Sequence, residues 1–367
     1  MNLTRRELTR LMGAGALLSK LPLSAQAQAN QSQGQKLRYC IVGLGRISMQ
    51  HFMPGVRQSE HSQITALVSG HRQKAEKMAA EYNVPLKNIY TYDNYDGIAG
   101  NKDIDAVYIA LPNSMHAEYT IRAAKAGKHV LSEKPMATTV KDSQAMIDAC
   151  RKAGKKLMIA YRCQYEPTNL RAIKWIRDGR IGKVQAIESS NGFNIKPGEW
   201  RLNRKLAGGG PLMDVGIYSL NACRFLTGEE PARVEGYSSV IDHDGRFKEV
   251  EENLSWTMKF PSGILASCNT TYGANMDGYY RMHGSKGTLH LEPAFSYEGL
   301  RFKAKIQGEH AVDEPTNDPE PRQFTREADY FAECVRTNKE PKTDGEEGLR
   351  DMKWMAAIYQ SAGLKEG

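Results

Sequence analysis

No stretch of this 367-residue chain is apolar for long enough to cross a bilayer as a helix, which takes about 20 residues. Cysteine is sparse. The six residues Cys40, Cys150, Cys163, Cys223, Cys268 and Cys334 are scattered, with no metal-ligand or redox spacing, so a thiolate metal site or dithiol motif is not expected and no disulfide pair is specified. Lys and Arg exceed Asp and Glu by eight, yet no long basic block exists, which argues against a nucleic-acid binder and leaves room for an anionic ligand. Internal repeats and low-complexity tracts are missing too, so neither a solenoid nor a long disordered tail is expected.

What is present begins with a leader. Arg5 and Arg6 form a twin-arginine pattern, followed by a short apolar run over 11–18 and small-residue cleavage sites at 25–27 and 27–29. Residues 1–29 are therefore expected to be a twin-arginine signal peptide, recognised by that export machinery and removed near Ala27 or Ala29, leaving a periplasmic protein without a membrane anchor. The leader carries three of the eight net positive charges.

Over residues 36–160 continuous apolar runs alternate with helical patterns. Strands are expected at 37–42, 64–68, 106–110, 129–132 and 157–160, with helices over 72–81, 116–126 and 140–153. Buried strands separated by helices predict a parallel sheet covered on both faces, an α/β Rossmann domain. The first strand runs into Gly43-Leu44-Gly45-Arg46-Ile47-Ser48, where Gly43 permits a tight turn and Gly45, lacking Cβ, lets backbone N–H groups approach a pyrophosphate at a helix N-terminus. Ser48 stands where the fingerprint has its third glycine, so the motif gains its weight from the repeated strand–helix context.

The end of the second strand selects the dinucleotide. An NAD site places an acid there for the ribose 2′-hydroxyl. This chain has Ser69-Gly70-His71-Arg72-Gln73-Lys74, with a hydroxyl and two cations and no carboxylate, which suits the 2′-phosphate of NADP. Leu111, Pro112, Asn113 and His116 follow the next strand and are expected to line the same cofactor site. His116 either faces the nicotinamide or is a plain helix-surface residue.

After Tyr161 the pattern changes. Short helices are expected over 171–178 and 213–226, a glycine-rich loop over 200–210, and strands at 184–190, 232–241, 254–260, 264–271, 279–283, 288–291 and 300–306. This predicts a second α+β domain, 161–367, with a mainly antiparallel open sheet. The stretch 307–321 reads as a surface loop, and terminal helices over 322–337 and 346–362 are expected to return to the first domain.

Glu133-Lys134-Pro135 lies at the C-terminal end of a parallel strand, the edge where open α/β sheets bind ligands. Behind Gly208-Gly209-Gly210, Asp214 and Tyr218 are four residues apart on one helical face. These segments, with Val42-Gly43-Leu44-Gly45 and Ser69-Gly70, resemble the glucose-fructose oxidoreductase / inositol dehydrogenase / rhizopine-catabolism family from about residue 36 to the C-terminus. The Tyr at 218, the acid-free Ser69-Gly70 segment and the leader resemble its exported glucose-fructose or aldose-aldose oxidoreductase branch. The resemblance implies catalytic roles for Lys134, Asp214 and Tyr218, contacts of Glu133 and Lys134 with cofactor, and a sugar pocket shared with Tyr161, Arg162 and Tyr297. It also implies a homodimer or homotetramer built on the C-terminal sheet. In this reading Lys134 lowers the pKa of Tyr218, which acts as general base. An NAD-dependent glycosidase, an ordinary sugar dehydrogenase and a non-catalytic sugar or nucleotide sensor are the alternatives.

Overall fold

The computed structural model describes residues 35–365, apart from 317 and 320, so the expected leader lies outside the described residues. The fold is built on two sheets. The first is six-stranded and parallel, in the order β3-β2-β1-β4-β5-β6. Its strands are β1 (Leu37–Val42), β2 (Ser62–Val68), β3 (Ile89–Tyr90), β4 (Ala106–Ile109), β5 (His129–Glu133) and β6 (Leu157–Ala160). The central runs are apolar because both faces are covered, as in a doubly wound sheet; every residue of β4 and β6 is buried. The covering helices include α1 (Met53–Arg57), α2 (Arg72–Tyr82), α3 (His116–Lys125) and α4 (Val140–Lys152). The strand order reverses between β1 and β4, and ligands of such sheets bind at that switch point.

The second sheet has eight strands in the order β14-β13-β12-β11-β7-β10-β9-β8. They are β7 (Val184–Gly192), β8 (Arg233–Ser239), β9 (Asn253–Lys259), β10 (Leu265–Thr271), β11 (Met276–Gly284), β12 (Gly287–Leu291), β13 (Arg301–Ile306) and β14 (Val312–Pro315). All neighbours are antiparallel except β7 and β10. Alternation does the sorting here: Leu254, Trp256 and Met258 of β9 point inward while Ser255, Thr257 and Lys259 point out. The inner face carries α5 (Pro167–Arg177) and α6 (Ile217–Thr227). The terminal helices α7 (Arg322–Thr337) and α8 (Gly345–Ser361) pack back on the first sheet's layer, α7 against α1 and β2, α8 against α4 and β6. No helix among the described residues is long and apolar enough to cross a membrane.

Three details depart from the sequence reading. The two-residue β3 was not expected. The stretch 307–321 contains the edge strand β14, which pairs with β13. The run expected to be one helix over 213–226 opens with a π-helical turn, Leu212–Gly216, before α6 begins. All six cysteines are buried and free, with Cys223 and Cys268 sulfurs 3.8 Å apart.

A buried ionic network holds α6 against α8. Arg224, 3 % exposed, pairs with Asp351, with Glu347 at 3.0 Å and with Glu230 at 2.6 Å, while Asn221 donates to Glu347 and Asp351. Truncating one member of such a network leaves the others buried and unpaired, at about 3–5 kcal/mol. Arg224→Ala should therefore lower the unfolding free energy by about that amount, read from the denaturant midpoint at unchanged slope.

Candidate active site

A cavity of about 1110 Å³ opens at the β1/β4 switch point and continues toward the second sheet. That exceeds the roughly 300–1,000 Å³ of ordinary small-ligand sites, giving room for a dinucleotide and a second molecule. The residues at its first end are those of the glycine turn, Gly43 to Ile47. Gly43 has φ +95°, and a Cβ there would stand 2.4 Å from the Ala110 carbonyl oxygen, so both conformation and space demand glycine. A Cβ on Gly45 would meet no protein atom and would instead project from the cavity wall. Ser48, the departure from the fingerprint, donates its hydroxyl to the Gly43 carbonyl at 2.6 Å and so ties the turn to the helix that follows.

Ser69, Gly70, His71 and Lys74 line the cavity beyond that turn. Lys74 reaches back to donate to the Leu44 carbonyl at 3.3 Å, while the Ser69 hydroxyl accepts from the His71 amide at 3.1 Å. Arg72, expected at the same site, pairs with Glu76 at 2.7 Å, one helical turn along, and is not among the residues that line the cavity. On the opposite wall are Leu111, Pro112, Asn113 and His116. The Asn113 amide is engaged with the Ala207 carbonyl at 2.8 Å, stitching this loop to the glycine-rich segment. His116 is buried, not a surface residue: its ring nitrogens lie 2.8 Å from the Pro135 and 2.9 Å from the Leu111 carbonyl oxygens, and burial lowers its pKa.

At the far end of β5, the Glu133 carboxyl accepts from the Tyr108 hydroxyl at 2.6 Å, and burial pushes its pKa up. Lys134 Nζ donates to the Asp214 carbonyl oxygen at 2.6 Å and lies 3.6 Å from the Asp214 carboxylate and 4.7 Å from the centre of the Tyr218 ring. Asp214 also accepts from Arg201 Nε at 2.7 Å and from the Tyr272 hydroxyl at 3.0 Å. Burial alone would raise this acid; Arg201 and then Lys134 outweigh it and hold it below the ordinary carboxylate value. Tyr218 sits at the start of α6 and faces the cavity, and burial raises its phenol well above the usual range. Tyr297 stacks on His51 with ring centres 4.0 Å apart, and burial pushes its pKa up to about 12.

Lys134, Arg162, Asp214, Tyr218 and Tyr297 thus meet on one wall of the cavity. Tyr161 does not. The Tyr161 ring turns into the core beside Asp351 and Glu347. Three residues went unremarked in the sequence. Arg201 and Tyr272 hold the Asp214 carboxylate. Glu251 accepts from the Gly210 amide at 2.9 Å and the Tyr359 hydroxyl at 2.8 Å, anchoring the segment that delivers Asp214. Gly210 is needed for that approach, since a Cβ would stand 2.5 Å from the Glu251 carbonyl oxygen. Among the described residues no group of His, Cys, Asp or Glu is placed to hold a metal.

Residues 37–161 match the oxidoreductase family with an NAD-binding Rossmann fold, and residues 169–290 match the C-terminal domain of the same GFO/IDH/MocA family. The chain belongs to the GFO/IDH/MocA oxidoreductase family. Among solved members, the aldose-aldose oxidoreductase from Caulobacter crescentus, crystallised with glycerol, is 46 % identical; the match covers 90 % of this chain and 98 % of that one at a TM-score of 0.86. A D-xylose 1-dehydrogenase [NADP(+)] of Haloarcula marismortui is 32 % identical over 91 % of this chain and 93 % of its own length. The 3-ketoreductase KijD10 from Actinomadura kijaniata shares the fold, with 23 % identity over 89 % of this chain and 98 % of that one at a TM-score of 0.76.

The geometry separates the two cations at the end of β2. Lys74→Ala should weaken NADP relative to NAD by about tenfold or more, the size of one charge-assisted contact of about 1.5–3 kcal/mol. Arg72→Ala should leave that ratio within about twofold. Titration of both dinucleotides into cofactor-stripped protein checks this.

Proposed function

We propose that the protein is an exported, NADP-containing sugar oxidoreductase that oxidises an aldose at C1 to a lactone and then reduces a second sugar, ketose or aldose, to a polyol on the same cofactor. Enzyme class, cofactor and sugar substrates follow from the family and from relatives named as NADP-dependent xylose dehydrogenase and aldose-aldose oxidoreductase. The observation that carries the finer reading is the cavity wall itself, where Tyr218, Lys134 and Asp214 face the space next to the dinucleotide turn. The 46 % identity to the aldose-aldose enzyme over nearly its whole length, with the acid-free Ser69-Gly70 segment, adds support.

Residues at the switch point fit NADP. The open cradle at Gly45, the Gly43 turn, and Ser69 with Lys74 at the end of β2 would hold it. NADP+, when bound, supplies the hydride acceptor. Tyr218 takes the proton from the C1 hydroxyl as the hydride leaves C1, and returns it to the carbonyl oxygen of the acceptor sugar. Lys134, fixed by the Asp214 carbonyl, presents its remaining N–H donors to the same substrate oxygen. Asp214, held ionised by Arg201 and Lys134, is available as an acceptor for a sugar hydroxyl and keeps the Lys134 ammonium in place. Arg162 and Tyr297 complete the wall.

Twin-arginine export is the reason to expect a cofactor that does not dissociate. A periplasmic enzyme has no soluble NADP pool, so the dinucleotide must travel with the folded chain and be regenerated by the second sugar. Ping-pong kinetics follow, with a homodimer or homotetramer formed on the outward face of the second sheet, where Tyr237 and Leu265 are exposed. The xylose dehydrogenase relatives favour a second reading, an ordinary dehydrogenase that releases NADPH.

Desalted protein mixed with an aldose and an acceptor sugar should form lactone and polyol without added cofactor; strict dependence on added NADP+, with NADPH accumulating, selects the dehydrogenase instead. Tyr218→Phe should keep NADP bound while kcat falls by about 10²–10⁴, the usual worth of acid–base catalysis. Replacing Arg5 and Arg6 by Lys should retain the precursor in the cytoplasm, as seen by cell fractionation; normal periplasmic arrival contradicts twin-arginine export.

A further inference from the structure

Arg162 is a buried charge whose hydrogen bonds, among the described residues, reach no carboxylate. Its side chain, 6 % exposed, leaves the turn after β6 and runs beneath the Tyr218 wall. Its hydrogen bonds go to the Ser296 carbonyl at 3.2 Å, the Gln323 side-chain oxygen at 2.9 Å and the Phe295 carbonyl, all neutral, and its Nε donates to nothing among the described residues. Buried arginines are ordinarily neutralised by carboxylates, as Arg224 is in this protein by Asp351 and Glu347. What lies against the Arg162 guanidinium is two phenol rings, Tyr297 with its centre 4.4 Å away and Tyr218 at 5.0 Å.

The charged and titratable groups around this pair come from five places. Glu133 ends β5 and Lys134 follows it, Cys163 follows β6, and Tyr297 precedes β13. His51 comes from the helical run after the glycine turn and Glu327 from α7. None of the acids among them makes a hydrogen bond to the Arg162 guanidinium among the described residues. Both Glu327 oxygens are buried and accept no hydrogen bond among the described residues. Burial, reinforced by Glu133, drives that acid strongly toward its neutral form. Glu133 is engaged with Tyr108. Lys134, for which the tuning role was expected, already has the Asp214 carboxylate beside it. Of everything opposing the burial of the Tyr218 phenol, the Arg162 charge is the largest influence.

We propose that Arg162 is the positioning residue that makes Tyr218 a proton carrier: a buried guanidinium left unneutralised so that the tyrosinate formed during turnover becomes its counter-ion. The inference rests on reading Tyr218 as the proton carrier. Losing the proton costs Tyr218 less because the resulting anion meets a charge already in place, and returning it restores the uncompensated state, so the group works in both directions.

The test uses the full chain with NADP bound and the variants Arg162→Lys, Arg162→Met and Glu327→Gln. Two quantities are followed against pH: the onset of tyrosinate absorbance, taken as a difference from Tyr218→Phe, and the rate at which an aldose reduces bound NADP. In Arg162→Met the tyrosinate onset and the acid limb of the rate profile should both move up by about 1–3 pH units, the effect of one nearby charge, with the neutral-pH rate down at least tenfold. Arg162→Lys should recover most of the shift, and Glu327→Gln should leave both profiles in place. A slower Arg162→Met enzyme with an unmoved profile would reduce Arg162 to a packing residue. A downward shift in Glu327→Gln would show that Glu327 is ionised and already neutralises Arg162, which also overturns the proposal. Should Arg162→Met fail to fold, the Lys and Gln variants still decide. The tyrosinate signal needs no substrate, so a wild-type protein whose NADP no sugar reduces would refute the oxidoreductase reading while leaving the Arg162–Tyr218 coupling to stand or fall by the titration.

Discussion

The site depends on the meeting of Lys134 with Asp214. Lys134 is delivered by the parallel sheet and Asp214 by the turn that opens α6, so the two halves of the fold must be in register for the ammonium to find the carbonyl at 2.6 Å. That contact places a cation over the Tyr218 ring and closes the wall between dinucleotide turn and second sheet. Asp214 can bear it because three groups converge on its carboxylate. Burial works against ionisation, and Arg201, Lys134 and Tyr272 together restore it. An acid prepared in this way is a rigid acceptor, and the donors aimed at it are rigid in turn.

Behind this contact lies a second tier that fixes mainly the backbone of the cavity loops. Glu251 gathers the Gly210 amide and the Tyr359 hydroxyl, Asn113 binds Ala207, and Ser48 binds Gly43. Each ties a segment of the cavity to another part of the fold. The glycines at 43 and 210 are the positions where these approaches leave no space for Cβ. The π-helical turn at Leu212–Gly216, which carries Asp214, leads the same segment into α6.

Much of this was legible because it is written in backbone chemistry. A strand running into Gly43-Leu44-Gly45, and the absence of an acid after Ser69-Gly70, report directly on turn geometry and on charge next to a ribose. What stayed hidden depends on helix phase or on contacts between distant segments. Arg72 and Lys74 are two residues apart, about 200° around a helix, so only one of them faces the cavity, and composition does not say which. Arg201, Glu251 and Tyr272 act on groups 13 to 58 positions away along the chain. Tyr161 and Arg162 look equivalent as neighbours, yet at the turn that follows β6 one side chain enters the core and the other the wall. The edge strand β14, Val-Asp-Glu-Pro, is polar and ends in proline, which is how exposed edges are protected and why it reads as a loop.

The last helix has a bearing on the order of events in the cell. Asp344 bridges to Met158 and the Thr343 carbonyl accepts from Ile159, so β6, the outer strand of the first sheet, is covered by residues translated nearly two hundred codons later. The outer edge of the dinucleotide-binding half is therefore completed only once the segment leading into α8 has been made. A chain broken off before α8 would present an unfinished sheet edge to chaperones and proteases.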